Sequence, residues 1–394
     1  MRTPLSPGRQ RPGIFRRISM WWGGYALTQA LAIAALVALL VFLGHNTAVT
    51  MARIGVTPGF DFLWRPTNFE IGESVFPFSA SDPYLTAILV GLINTLKVAL
   101  LGCLLATLLG VAVGVAGLTQ NLLLASLVRA YIELIRNTPL LLQLFFWISL
   151  AKAFPAPRQA SAVLGSVFLT NRGVYIPTFS LEGAALGTLP LLLLLAVLFG
   201  LLLVVLARTG HLRLWTGSIA ATLLLAAAFA GLHLLGARMI IEVPALAGFN
   251  IRGGANLTPE FAALLTGLTI KFSAAIAEIV RAGIQSVHRG QWEAARALGL
   301  HAGQIMRLIV LPQALRVITP LTTSSYLDLL KDSSLAVAIG YPDLVSIINT
   351  TANTTGQSLE ALLILIGTYL SINLLISALM NDYNRRVALK GTRR

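Results

Sequence analysis

Residues 26–43 read ALTQALAIAALVALLVFL, without a single charge. About 20 apolar residues in helical form cross the hydrocarbon core of a bilayer, and eight runs of this chain approach that length: residues 26–43, 85–117, 125–153, 187–207, 214–236, 260–285, 314–341 and 360–381. The pattern predicts an all-α membrane protein with about eight transmembrane helices. The second and third runs exceed a single crossing, which predicts tilt or extension past the membrane. Small residues recur four apart at Ala106, Gly110 and Gly114, a spacing that lets helix backbones approach closely in lipid.

Composition agrees. Hydrophobic residues make up 56% of the chain and charged residues 11%, against about 25% charged in a soluble domain. That excludes a cytosolic enzyme, a secreted disulfide scaffold and a disordered chain. One cysteine, Cys103, leaves no internal disulfide. The five histidines lack metal-ligand spacing, and neither a metal nor a cofactor is expected. No Gly-Lys dipeptide occurs, so there is no phosphate-binding loop of that type, and any ATP that drives this protein binds to another subunit.

The net charge of +14 is a topology signal. Arg2, Arg9, Arg11, Arg16 and Arg17 crowd the N-terminal tail, and Arg385, Arg386, Lys390, Arg393 and Arg394 crowd the C-terminal one. Arg208, His211 and Arg213 follow the fourth run, and Arg289, Arg296, Arg307 and Arg316 follow the sixth. Basic residues accumulate in cytoplasmic loops. Eight spans with both termini inside put all four clusters on that side, and no nucleic-acid partner is needed to explain them. The first outer loop carries Asp61, Glu70, Glu73 and Asp82 against Arg53 and Arg65. The first run is longer than the ~7–15 apolar residues of a signal peptide and precedes no Ala-x-Ala site, so it reads as an uncleaved span. Four segments follow: 1–84, with a basic tail, the first span and an outer loop; 85–153, the first core part; 154–258, an insertion with two spans and outer loops; and 259–394, the second core part. The outer loops at 44–84, 154–186 and 237–258 either dock a partner or only cap the bundle.

One polar stretch is patterned as closely as the spans. It reads Glu293-Ala294-Ala295, three residues, Gly299, nine residues, then Ile309-Val310-Leu311-Pro312. Ala294, Ala295, Leu298, Ile305, Leu308 and Ile309 fall at helical spacing. Gln291 to Leu298 predicts a short helix, Gly299 a left-handed cap, and Pro312 a break before the seventh span. A short helix with small residues on one face suits a groove on a partner.

This spacing resembles the EAA loop of bacterial ABC importer permeases of type I. Further stretches resemble the polar amino-acid branch: GLINTLKVA from Gly91, RNTPLLLQLFF from Arg136, AEIVRAGIQS from Ala277, LPQALR from Leu311 and KDSSLAVAIGYPD from Lys331. The extra first span and the inserted pair resemble the larger permeases of general L-amino-acid transporters. The resemblance implies a subunit of the bacterial inner membrane that performs no covalent chemistry. It implies a second permease, by the same resemblance in a heterodimer, two ABC ATPase subunits and a periplasmic amino-acid-binding protein. Glu293, Ala294, Ala295 and Gly299 would then lie in the helix that docks into the ATPase, with Arg296 adding charge.

Ionisable residues at membrane depth cost about 2.5–3.5 kcal/mol on insertion scales, which makes each a candidate site. Lys271 lies within the sixth span; Asp328, Lys331 and Asp332 lie within the seventh, and both groups are expected near the midplane. A zwitterionic amino acid is complemented by a lysine and an aspartate, and Asp332, Ser333 and Ser334 suit the cap of a restarted half-helix that attracts a carboxylate. Equally, Lys271 pairs with Asp328 or Asp332 and simply joins two helices. Relatives usually carry Asn at both aspartate positions and often an aromatic at Lys271, which fits a compensated swap. An amino-acid importer is therefore the favoured reading. Its alternatives are an ABC permease for another small polar solute and an ion-coupled secondary transporter, which would need no docking helix.

Overall fold

The computed structural model describes residues 25–53, 55, 59–163, 165–182 and 238–389. The runs expected to span at 187–207 and 214–236 lie outside the described residues.

The first span is α1 (Ala26–Arg53). After an outer loop with a short 3-10 turn at Asp61–Trp64 comes α2 (Tyr84–Ala116), 33 residues long. At 1.5 Å per residue that is about 50 Å, well beyond a ~30 Å hydrocarbon core, so α2 is longer than a single perpendicular crossing needs. The third run is not one helix. It forms α3 (Leu122–Asn137) and α4 (Leu140–Lys152), bent by 103°. The cause is Pro139. A residue before proline is driven from the helical region, and Thr138 accordingly adopts φ −96°, ψ 125°.

α5 (Pro259–Gln285) follows, capped by the Thr258 hydroxyl, which accepts from the Phe261 N–H at 3.2 Å. Next come the short α6 (Arg289–Ala297) and α7 (Ala302–Ile305), then α8 (Leu311–Asp332) and a 3-10 turn at Ser333–Ile339. α9 (Leu344–Thr355) has only 12 residues, too short to cross. α10 (Ser358–Leu389) is the last span. Among the described residues five helices are long and apolar enough to cross, or six with the bent pair.

Pro312 does not break the chain. A π-helical turn at Met306–Val310 runs straight into α8, so that one span extends over Ala302–Ile339. Proline lacks an N–H and crowds the carbonyl four residues back; the wider turn just before it absorbs the mismatch.

Among the described residues α2 and α5 pack against each other most extensively, in parallel register, with Gly102, Gly110 and Gly114 facing Leu268, Ile276 and Val280. A Cβ on Gly110 would lie 2.7 Å from the Ile276 Cβ, and one on Gly114 would lie 2.7 Å from the Ala277 carbonyl oxygen. The stripe Ala106-Gly110-Gly114 is therefore the contact line expected from its spacing. The core continues through Leu144, Leu264, Leu268, Ile276 and Leu329, all fully or almost fully buried.

The outer parts of the 154–258 insertion hold strands. β1 (Ala162–Val163), β2 (Val167–Thr170), β3 (Gly173–Ile176) and β8 (Ala255–Leu257) form an antiparallel sheet in the order β1-β2-β3-β8. β6 (Ala245–Ala247) and β7 (Asn250–Arg252) pair separately. β4 (Thr178–Glu182) pairs with β5 (Arg238–Glu242), with Glu182 opposite Arg238, so the two ends of the described insertion residues lie side by side.

Candidate functional site

Two polar regions lie at opposite ends of the bundle. The first is the patterned loop. The helix expected at Gln291–Leu298 is α6, and its N-cap is His288, whose Nδ1 accepts from the Gly290 N–H at 3.1 Å. At the other end Leu300 N–H donates to the Ala295 carbonyl at 3.2 Å and Gly299 N–H to the Arg296 carbonyl at 2.9 Å. This pair of bonds is the Schellman closure, which needs a left-handed residue one position past the cap; Gly299 supplies it with φ +75°. Two residues on, His301 and Gln304 form a capping box: His301 Nδ1 accepts from the Gln304 N–H, and Gln304 Oε1 accepts from the His301 N–H at 3.2 Å. Two short helices are thus locked into an elbow by their own termini.

The elbow has two faces. Ala295 is buried to 1% exposure and packs into the core beside Trp292, Leu300 and Ile305. Glu293, Ala294, Arg296, Ala297 and Gly299 are exposed, and Leu298 is 79% exposed. Of the two alanines in the motif, one anchors the helix to its own chain and the other faces outward. Beside them a cavity of about 700 Å³ is lined by Leu118, Gln285, Arg289, Trp292, Glu293 and Arg296, among others.

The candidates at depth separate. Asp328 pairs with Lys331 at 3.6 Å, one turn along the same helix, and both side chains are more than half exposed. Lys271 on α5 stands within electrostatic range of Asp332. Ser333 is buried, and its hydroxyl donates back to the Leu330 carbonyl at 2.7 Å; Ser334 does the same to Lys331 at 2.6 Å. No side chain caps the 3-10 turn that follows Asp332. The restarted half-helix expected there is absent: the hydroxyls bond carbonyls behind them instead of the N–H groups ahead.

The second region was not singled out from sequence. Lys97, thirteen residues into α2, forms an ion pair with Glu73, which reaches in from the outer loop. The other Glu73 oxygen accepts from the Thr258 hydroxyl at the start of α5. The Lys97 ammonium sits 4.3 Å from the centroid of the Phe261 ring. Asn94, fully buried, donates through its amide to the Glu73 carbonyl at 2.8 Å and to the Pro342 carbonyl at 3.0 Å. The signal for Lys97 was available, as a charge deep inside an apolar run; its partner in a loop was not.

Next to this cluster, in the connection between the last two spans, Asp343 caps α9 by accepting from the Ser346 N–H at 2.9 Å. It is 1% exposed, and burial pushes its carboxyl up to about 7 against the backbone N–H bonds that favour ionisation. Elsewhere Arg281 grips Glu278 with two hydrogen bonds, at 3.1 and 2.6 Å.

The family model described as binding-protein-dependent transport system inner membrane component matches residues 174–389. Three relatives align over nearly the whole chain. The putative amino-acid ABC transporter permease protein YhdX of Escherichia coli is 45% identical, covering 92% of this chain and 94% of its own. The general L-amino acid transport system permease protein AapQ of Rhizobium johnstonii is 41% identical, covering 92% and 91%. The glutamate/glutamine/aspartate/asparagine transport system permease protein BztB of Rhodobacter capsulatus is 38% identical, covering 92% and 93%.

Proposed function

The chain belongs to the amino-acid ABC transporter permeases of the binding-protein-dependent family, and from that membership we propose that it forms half of the translocation path of an ATP-driven importer of general L-amino acids. The breadth of substrate is taken from the relatives named for general L-amino acids and for the glutamate and aspartate group. A second, related permease completes the path. Two ATPase subunits hydrolyse ATP beneath it, and a periplasmic binding protein delivers the substrate. Both termini face the cytoplasm.

The observation that carries this reading is the two-faced elbow. A helix anchored through Ala295 and Trp292 moves with the spans, while Glu293, Ala294, Arg296 and Gly299 remain free to meet a partner. Force applied to the exposed face passes through the π-helical turn into α8. The secondary-transporter alternative has no use for such an elbow.

The exposed Asp328–Lys331 pair supports a place on the path. Charges at membrane depth avoid lipid and face a water-filled cavity or a partner. Lys271 and Asp332 lie deeper, and with Ser333 they complete the group proposed to line the path.

The test is co-purification from membranes, with identification of the associated chains and measurement of ATPase activity as each L-amino acid is added with the binding protein. Stimulation by several amino acids is expected. A purified single chain that transports in proteoliposomes without ATPase subunits would overturn the reading.

A further inference from the structure

We propose that Lys97 and Thr258 form a receptor for the α-carboxylate of the transported amino acid, and that Glu73 occupies it as a tethered stand-in until substrate arrives; this rests on the amino-acid reading above.

The cluster is built as a carboxylate receptor. Lys97 supplies an ammonium and Thr258 a hydroxyl, one to each oxygen of the Glu73 carboxylate. Thr258 also caps α5, so the carboxylate sits at the N-terminus of a helix of 27 residues, where partial positive charge favours an anion. The Phe261 ring beneath the ammonium holds the cation in place. Its present occupant comes from a loop, not from a packed helix.

That loop is closed on itself around the tip that carries Glu73. Thr67 N–H bonds the Asp82 carbonyl at 3.0 Å, Asn68 N–H the Ala80 carbonyl at 2.9 Å, and Tyr84 N–H the Arg65 carbonyl at 3.1 Å. Phe62 is fully buried, and Phe69, Ile71 and Phe78 pack against the core formed by α2 and α9. The base of the loop is therefore fixed, while its tip is tied down by the Glu73 carboxylate and by the Asn94 amide on the Glu73 carbonyl.

A route to the receptor is open. A cavity of about 470 Å³, large enough for an amino acid, is lined by Glu70, Gly72, Glu73, Thr258, Glu260 and Ser346, among others. Glu70 and Glu260, the latter 3.8 Å from the Lys152 ammonium, offer carboxylates to an α-ammonium, and Glu73 and Thr258 bring the receptor to the cavity wall, with Lys97 behind Glu73. A zwitterion entering there meets carboxylates on one side and, once Glu73 yields, a lysine on the other. Exchange of one carboxylate for another keeps the Lys97 ammonium paired with an anion throughout, and it frees the Glu73 side chain while the Asn94 amide still holds the Glu73 carbonyl.

The experiment uses the assembled transporter without its binding protein, so that only the membrane site is read. The twenty radiolabelled L-amino acids are screened by equilibrium binding, and the tightest is taken forward beside its α-carboxamide. Glu73→Gln keeps the shape and one of the two acceptor oxygens but removes the charged tethered competitor, whose effective concentration is high; it should tighten amino-acid binding by about tenfold. Lys97→Met should weaken it by at least about tenfold, and Glu73→Gln added to Lys97→Met should change nothing further. Binding of the carboxamide should be indifferent to Glu73→Gln. Detection of binding only in Glu73→Gln also supports the proposal. Unchanged or weakened binding in Glu73→Gln, or no binding in either form, overturns it, and this variant carries the test where Lys97→Met fails to assemble. If no amino acid stimulates the wild-type ATPase with the binding protein present, the import reading fails instead.

Discussion

The backbone N–H of Leu300 reaches back across Gly299 to the carbonyl of Ala295 at 3.2 Å. This bond closes α6 and turns the chain into the next short helix, and it forms because Gly299 sits at φ +75°. Nothing lies within 4 Å of where a Cβ would stand, so within this chain the glycine serves conformation, not space. Gly299→Asn, which tolerates the left-handed region, should retain coupling of ATP hydrolysis to transport, whereas Gly299→Val should cost about 1–2 kcal/mol in the loop and lose most of the coupling. The ratio of amino acid moved to ATP hydrolysed in proteoliposomes measures this. Equal behaviour of the two variants would sink the explanation.

The two motif alanines should respond differently to a larger side chain. Ala295 is buried at 1% exposure, so Ala295→Leu overpacks the anchor and lowers stability by about 1–3 kcal/mol. Ala294 is exposed, so Ala294→Leu should leave the melting temperature of the isolated permease unchanged while weakening association with the ATPase. Thermal unfolding in detergent and pull-down of ATPase subunits separate the two effects.

The α2–α5 seam sets a stricter limit. A Cβ at Gly110 would meet Ile276 at 2.7 Å, with the Ser273 carbonyl oxygen 2.9 Å away. The helices must part to admit it. Gly110→Val should reduce folded yield severely, with a cost of several kcal/mol from overpacking, whereas Gly367→Ala on α10, with open space around it, should be neutral. Monodisperse yield after detergent extraction is the readout.

Much of this architecture was visible in the residues, for reasons that differ by element. Period and length mark the spans, because a helix in lipid must satisfy its own backbone. The spacing of Ala106, Gly110 and Gly114 names the contact line, and Gly299 names the helix end, because each position has one physical demand. The bend of 103° at Pro139 escapes notice, because the run 125–153 stays apolar across the break and reads as one long span. Pro312 misleads, since whether a proline breaks a helix or is absorbed by a π turn depends on the residues around it. Lys97 and Glu73 are invisible as a pair: they lie 24 positions apart, one in a span and one in a loop, and no periodicity links them. The short strands within the insertion escape for a similar reason, since pairing such as that of Glu182 with Arg238 joins residues far apart in sequence.

Asp343 gives the chain a pH dependence. Burial raises its carboxyl to about 7, against about 3.9 in an unfolded chain. Between those values the folded state holds a proton that the unfolded state has released. Stability therefore falls as pH rises from about 4 to 7 and levels off above. Each unit is worth about 1.4 kcal/mol. Asp343→Asn keeps an equally good helix cap without the titration, so the variant should be more stable than wild type at pH 8 and should lack the wild-type gain between pH 8 and 6. Thermal unfolding at the two pH values decides; parallel curves for the two proteins would remove Asp343 as the cause.

The Asp328–Lys331 pair makes a claim about what covers α8. The two side chains are 63% and 59% exposed in the single chain, on a helix that crosses the membrane. Ser324, one turn earlier, is exposed along the same stripe. Lipid at that face would cost several kcal/mol for the pair, and the proposed place of the pair beside the water-filled path makes a prediction. In a Cys103→Ala background, Lys331→Cys should react with a membrane-impermeant thiosulfonate at least about tenfold faster than Leu363→Cys on the last span, because the leucine position faces hydrocarbon and the lysine position faces water. Leu363 is a fair control, being 54% exposed on α10. Reaction that quickens or slows with ATP would further tie this face to alternating access. If Lys331→Cys is as inert as Leu363→Cys in every nucleotide state, the stripe lies against a partner or lipid, and Asp328 and Lys331 leave the group that lines the path.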